Sequence, residues 1–294
     1  MPDLPPRPET AANAAFRRWY TPRWGRENAL ICGRSMRAEY PLHTQTLSVK
    51  LAWGGGERYV LPHRELVVDD DRYLILNEGR RYASVLRSAQ PVHSFSVFFR
   101  PGMPAEVQAA RRQTLDAALA QPDAAPLGTG FSEHLRPHDA RVTPRLRAMH
   151  REALSGERSE DWLEQQMLLL LGDLLAAEAD AEREAARLEA ARTSTRRELA
   201  RRLRRAVDVI ESRYAEPIGL AELADAACLS RYHFVRHFKA MYGTTPHAAL
   251  TAKRARAAAR LLAVGEADVE AVAQRCGLGS RWSLQRALRR HAGA

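Results

Sequence analysis

The stretch LADAACLSRYHFVRHFK, Leu223 to Lys239, is followed about fifty residues later by a second copy of its own pattern, VEAVAQRCGLGSRWSLQRALRR. Each copy holds a short apolar segment, a sharp polar break and an amphipathic segment carrying an aromatic residue, an arginine and a further cation. Ala224 aligns with Ala273, Cys228 with Gly277 and Leu229 with Leu278. After one inserted residue, Phe234 aligns with Leu284, Arg236 with Arg286 and Phe238 with Leu288. From Glu198 onward the pattern is helix, turn, helix, with no strand signal. At 100° per residue Phe234, His237 and Phe238 share one arc, while Tyr232, Val235, Arg236 and Lys239 take the other. In the second copy the outward arc is Trp282, Gln285, Arg286 and Arg289. Ser230 stands where a helix N-cap belongs.

A helix that enters the major groove packs one face on its support and offers Arg, Gln, Asn or Ser on the other, with cations nearby for phosphates. Two such helices need a spacer. Pro246 suits the first position of HAALTAKRARAAARLLAV, with Leu250, Ala257, Leu261 and Leu262 expected inward and Lys253, Arg254, Arg256 and Arg260 expected mostly outward. About 18 helical residues span roughly 27 Å, comparable with the ~34 Å of one DNA turn. The charge agrees. The chain is formally +10, with 45 Lys and Arg against 35 Asp and Glu. From Thr193 onward there are 19 cations and 9 anions, a net of +10, whereas the first 192 residues hold 26 of each. A basic excess confined to the last third points to a polyanionic partner.

These motifs, LAELADAACLSRYHFVRHFKAMYGTTPHAAL, KRARAAARLLAVGEADVEAVAQRCGL and SRWSLQRALRR, resemble the double helix-turn-helix domain of the AraC/XylS transcription regulators over about a third of the chain. The resemblance implies that Tyr232, Val235 and Arg236 in the first unit, and Arg281, Trp282, Ser283, Gln285 and Arg286 in the second, stand at base- or backbone-contacting positions. Lys239 and Arg289 complete the two outward arcs. This chain departs from the family at Leu278, Leu284 and Leu288, where Phe is usual, and it ends at Gly293-Ala294 without the usual Gly-x-x-Pro tail. A smaller core in the second unit is expected.

From Leu42 to Phe99 the texture is β. TLSVKLAW, GERYVL, ELVVD, YLILNEG, YASVL and FSVFF are short runs rich in Val, Leu, Tyr and Phe, separated by turn formers that include Gly54 to Gly56, Asp69 to Asp71, Asn77 to Gly79 and Pro91. They predict a small antiparallel barrel or sandwich, and ELVVDDDRYLILNEGRRYASVL with VHSFSVFFRPG is similar to the cupin-like sensing domains of some AraC-type regulators. After Pro101 the strand signals stop. Helices are expected near Ala105 to Leu119, near Pro144 to Leu154, and from Glu160 to about Arg192. Leu163, Met167, Leu170, Leu171, Leu174 and Leu175 form a stripe that suits either a dimer seam or a lid on the barrel core.

The expected fold is α+β and multidomain: an N-terminal arm (1–26), a cupin-like sensing domain built on an antiparallel β-barrel (27–104), a helical dimerisation or linker segment (105–192) and an all-α double helix-turn-helix domain (193–294). Three dispersed cysteines, Cys32, Cys228 and Cys276, fit a reducing cytoplasm, and no segment has the length and apolarity of a membrane span. His43, His63 and His93 are isolated, so no metal site is expected, and no cofactor or catalytic constellation is visible. Trp53, Tyr59, Tyr73, Tyr82, Phe95 and Phe98 either line an effector pocket or form the barrel core. Expected partners are double-stranded DNA, a second copy of the chain, a small-molecule effector and RNA polymerase. The rival readings are a cupin-type metal enzyme fused to a DNA-binding domain, and a front half that only makes protein contacts.

Overall fold

The structure is a computed structural model that describes residues 25–108, 130–156, 159–186, 188 and 193–292. Nearly all of the expected arm, residues 109–119 of the first expected helix and residues 189–192 of the expected linker lie outside the described residues. The chain divides into two compact units, one ending at Asp180 and one beginning at Ala181.

The first unit is built on a seven-stranded antiparallel sheet: β1 (Ala29–Thr44), β2 (Ser48–Trp53), β3 (Glu57–Leu61), β4 (Arg64–Val68), β5 (Arg72–Leu76), β6 (Arg81–Phe98) and β7 (Leu135–Pro137), in the order β4-β3-β6-β2-β5-β7 with β1 on the other side of β6. Strand β6 is the spine. One edge pairs with β1 along most of its length, while the other pairs with β3 at Ala83 to Val85 and with β2 at His93 to Phe98. Pro91, read from the sequence as a turn former, lies inside this strand. It is tolerated because it falls between the β3-paired and β2-paired stretches, and because the β1 register jumps there, from Ser35 opposite Val92 to Arg37 opposite Arg87. No ladder hydrogen bond is asked of a residue that has no N–H. Two further differences appear: the β region begins at Ala29 rather than Leu42, and β7 forms after Pro101.

Strand alternation sorts the apolar side chains onto two faces. Leu66, Val68, Leu74, Leu76 and Leu86 gather on one, while Val49, Leu51, Ile75, Phe95 and Val97 gather on the other. The second face is covered by α1 (Val142–Ser155) and α2 (Glu160–Ala185), whose Leu146, Met149, Met167, Leu170, Leu171 and Leu174 are all 0% exposed. At about 1.5–3 kcal/mol for each fully buried side chain, this cover is a main source of the unit's stability. The leucine stripe is thus the lid of the sheet, and its side chains are spent inside the chain. A buried Arg136–Glu178 ion pair ties β7 to α2.

The second unit contains α3 (Thr193–Arg213), α4 (Leu220–Ala226), α5 (Arg231–Tyr242), α6 (Pro246–Ala263), α7 (Val269–Arg275) and α8 (Arg281–Ala292). Two apolar clusters organise it. Leu203, Ile210, Leu223, Phe234, Phe238 and Leu250 form one, and Ala257, Ala258, Val272, Ala273, Cys276 and Leu284 form the other. The spacer α6 contributes to both, starting from Pro246 with Thr245 accepting a hydrogen bond from the Ala248 amide. Its cations do not all face outward. Lys253 is 0% exposed, its Nζ 3.1 Å from Glu211 Oε2 and over the Tyr214 ring, and the Arg254 guanidinium donates at 2.7 Å to the carbonyls of Tyr214 and Glu216.

Candidate nucleic-acid interface

Helices α4 and α5 meet at a turn in which Cys228 adopts φ 51°, a left-handed conformation unusual for a residue with a side chain. Gly277 adopts φ 70° at the same place between α7 and α8. The hydrogen bonds repeat as well. The Leu229 amide donates to the Ala224 carbonyl at 3.0 Å, and the Leu278 amide donates to the Ala273 carbonyl at 2.8 Å. Both turns then present a serine cap: the Ser230 hydroxyl accepts from the His233 amide, and the Ser280 hydroxyl from the Ser283 amide. The duplication read in the sequence is a duplication of backbone geometry.

The caps set which way the two second helices face. In α5, Phe234 and Phe238 are buried at 0% and 1%, leaving Tyr232 73% exposed, Arg236 and Lys239 exposed, and Val235 half-buried. In α8, Leu284 and Ala287 are buried, while Arg281, Trp282, Gln285, Arg286 and Arg289 are exposed, Trp282 by 68%. Ser283 is half-buried and its hydroxyl accepts from that of Ser280, which engages it at the cap. Two large exposed aromatics at matching positions are costly to leave in water unless something covers them. The Arg286 guanidinium lies 5.5 Å from the centre of the Trp282 ring, one turn earlier on the same face. Stacking of this kind steadies a guanidinium that would otherwise wander among rotamers.

Charge separates between supporting and outward helices. Helix α5 carries three cations and α8 four, with no acidic residue in either; α4 carries two acidic residues and no cation. Other arginines of this unit are engaged locally, as Arg213 is with Glu216 and Glu222, and Arg275 with Glu266. Arg231 and Arg290, which sequence reasoning passed over, are exposed on the same two helices. Their signal was there to read, as cations on acid-free helices.

The aromatic residues singled out in the first unit divide between the two faces of the sheet. Trp53, Tyr73 and Phe95 belong to the core under α1 and α2, whereas Tyr59, Tyr82 and Phe98 line a cavity on the other side. That cavity is small, about 70 Å³, and opens to solvent. It also receives Lys50 and Glu57, which sequence reasoning missed. Alternation in TLSVKLAW could have found the lysine, since Val49 and Leu51 face the helices and Lys50 must face the other way. Burial pushes the Lys50 ammonium down to about 7, with the Glu57 charge acting in the opposite sense. Glu57 is raised, chiefly by burial, against hydrogen bonds from Ser84 and Tyr59 and the charge of Lys50. His43, at the cavity edge, is lowered by burial. Among the described residues no group of three or more His, Cys, Asp and Glu side chains is placed to hold a metal ion, and no helix is long and apolar enough to cross a membrane.

With this geometry in view, the comparisons with known proteins are informative for the second unit. Residues 223–294 match the family described as Helix-turn-helix domain. Over 81 residues, 28% of this chain and 33% of the other, the sequence is 37% identical to a probable transcriptional regulator, LumQ, of Photobacterium leiognathi. Among solved structures, the DNA-binding domain of the transcriptional factor AdpA in complex with a target DNA is 33% identical, covering 31% of this chain and 83% of that one, with a TM-score of 0.30. ToxT from Vibrio cholerae is 10% identical over 90% of this chain and 94% of its own, with a TM-score of 0.34. The C-terminal part of this chain, residues 223–294, is thus similar to a helix-turn-helix domain. The chain spans about a third of the length of the LumQ relative.

Proposed function

We propose that the protein is a DNA-binding transcription regulator of the AraC/XylS type. The observation that carries this reading is the twofold occurrence of one device: a left-handed turn, a serine cap, and an acid-free helix presenting an aromatic residue and an arginine to solvent. In this reading α5 and α8 enter successive stretches of major groove. Arg236 and Arg286 read guanine or grip phosphate, Gln285 and Ser283 serve the second half-site, and Lys239, Arg281 and Arg289 supply salt-sensitive affinity. Tyr232, Val235 and Trp282 pack on sugar or on thymine methyl groups. The first unit senses a small molecule in its cavity and biases subunit geometry in a cytoplasmic homodimer, which acts on RNA polymerase at the bound promoter.

The test begins with selection of duplexes from a random pool by the intact chain, followed by gel-shift titration of the selected site. Arg236→Ala and Arg286→Ala should each weaken that site by about 1–3 kcal/mol. Failure to enrich any sequence, or unchanged affinity in both variants, contradicts the reading.

A further inference from the structure

The two helix-turn-helix motifs are joined by more than their spacer. What α6 buries in the second motif's cluster is Ala257 and Ala258, with Leu261 and Leu262 only half-buried beside them. Side chains as small as alanine raise low ridges, and apolar contact is non-directional, so this packing holds the second motif on the spacer while specifying its angle weakly. Directional contacts converge instead on the end of α3, a helix whose Ala200, Leu203, Ala206 and Ile210 lie in the first motif's cluster. From α6 the Lys253 ammonium lies 3.1 Å from one oxygen of Glu211, and the Arg256 guanidinium 3.4 Å from the other. Between them Arg254 forks onto the carbonyls of Tyr214 and Glu216, both at 2.7 Å. The second motif arrives at the same place. Gly277, in its turn, lies so close that a Cβ there would stand 2.8 Å from the Ala215 carbonyl oxygen and 3.1 Å from Arg254 Nε. The Tyr214 side chain packs against both apolar clusters. Arg213 then ties this segment to α4, with Glu216 and Glu222 each 2.6 Å from its guanidinium.

Building on the proposed DNA-binding function, we infer that this junction, with Arg254 as its positioning residue, sets the rotational phase between α5 and α8 and so the half-site spacing the chain accepts. Directionality is the reason. A guanidinium donates through a rigid planar fork, so two carbonyls two residues apart hold α6 at one roll angle against α3. Gly277 brings the α7–α8 turn into register with both. An ammonium at position 254, a point charge on a flexible stem, would not define that angle. A wrong phase is a geometric misfit on DNA. Each base pair inserted between the half-sites carries the second one about 3.4 Å along the duplex and roughly 35° around it. A second motif fixed to the first follows neither displacement.

The test moves the two half-sites of the selected duplex together or apart by one and two base pairs and titrates each version by gel shift with the intact chain. A two-base-pair change should weaken binding of the unmodified chain by about tenfold or more. Arg254→Ala should shrink that loss to less than about threefold, while binding the isolated half-site of α5 as the unmodified chain does. Arg254→Lys keeps the charge and gives up the fork, so it should relax the spacing in the same way, and it serves alone if Arg254→Ala does not fold. Spin-label distances follow the same hinge without DNA. With labels on the exposed Cys228 and on Arg290→Cys, in an intact chain carrying Cys32→Ser, one narrow distribution is expected, broadened by either Arg254 variant. An affinity that falls by one factor at every spacing, a spacing preference kept in Arg254→Lys, or label distances as narrow in the variants as without them overturns the inference. Failure of the unmodified chain to bind any duplex contradicts the proposed function instead, and the label distances then decide the role of the junction.

Discussion

The two helix-turn-helix units share a backbone and differ in what fills them. In the first, Phe234 and Phe238 meet edge to face at 5.5 Å, Phe238 continues to Tyr242 at 4.7 Å, and Met241 is 3% exposed. In the second, Leu284 is fully buried but Leu288, the counterpart of Phe238, is only half-buried at the margin of its cluster. The turn and the serine cap therefore set the orientation of each outward helix, whereas the volume behind it is free to vary. Aromatic pairs add about 0.5–1.5 kcal/mol beyond the area they bury, so the first unit is the firmer support. The second has the stronger charge: four cations against three, with Arg286 braced on Trp282.

The largest test of that contrast is in the interior. Phe238→Ala should cost about 3–5 kcal/mol, while Leu288→Ala, half-exposed already, should cost on the order of 1–2 kcal/mol. Scanning calorimetry of the intact chain would read both, and equal losses would break the distinction between a firm and a lean core. The two turns offer a second test, in which one chemical idea changes sign. A Cβ at Gly277 would stand 2.8 Å from the Ala215 carbonyl oxygen in a residue already at φ 70°, so Gly277→Ala should destabilise by about 2–3 kcal/mol. At Cys228, exposed and at φ 51°, relief of the left-handed strain outweighs the entropy of glycine, and Cys228→Gly should stabilise by up to about 1 kcal/mol. Losses at both positions would mean that the turns are not equivalent.

Much of the second unit was legible because helical period and capping are local. The outward arcs of α5 and α8, the inward Phe234 and Leu284, and the Ser230 cap all follow from spacing alone. Lys253 was not, although the period was right: it lies three residues after Leu250 and four before Ala257, squarely on the inward stripe. What placed it inside is Glu211, 42 residues earlier in the chain, which no local pattern reports. In the first unit the strands from Thr46 to Phe99 were visible, yet β1 was missed beyond its last residues. Of its 16 residues only Leu30 is buried, so the alternation that marks a strand is absent from the sequence. Pro91 misled for a related reason, since its tolerance depends on which neighbours β6 lacks at that point. The cavity was half legible: its aromatic residues were named, but their division between two sheet faces, and the lysine among them, required the register.

The measurement that tests the central claim most directly is base-resolution footprinting on the selected duplex with the unmodified chain, Arg236→Ala and Arg286→Ala. The account predicts two protected major-groove stretches about 10–10.5 base pairs apart on one side of the duplex, with Arg236→Ala relaxing base preference in one stretch and Arg286→Ala in the other. A single protected stretch, or both variants relaxing the same bases, would contradict it.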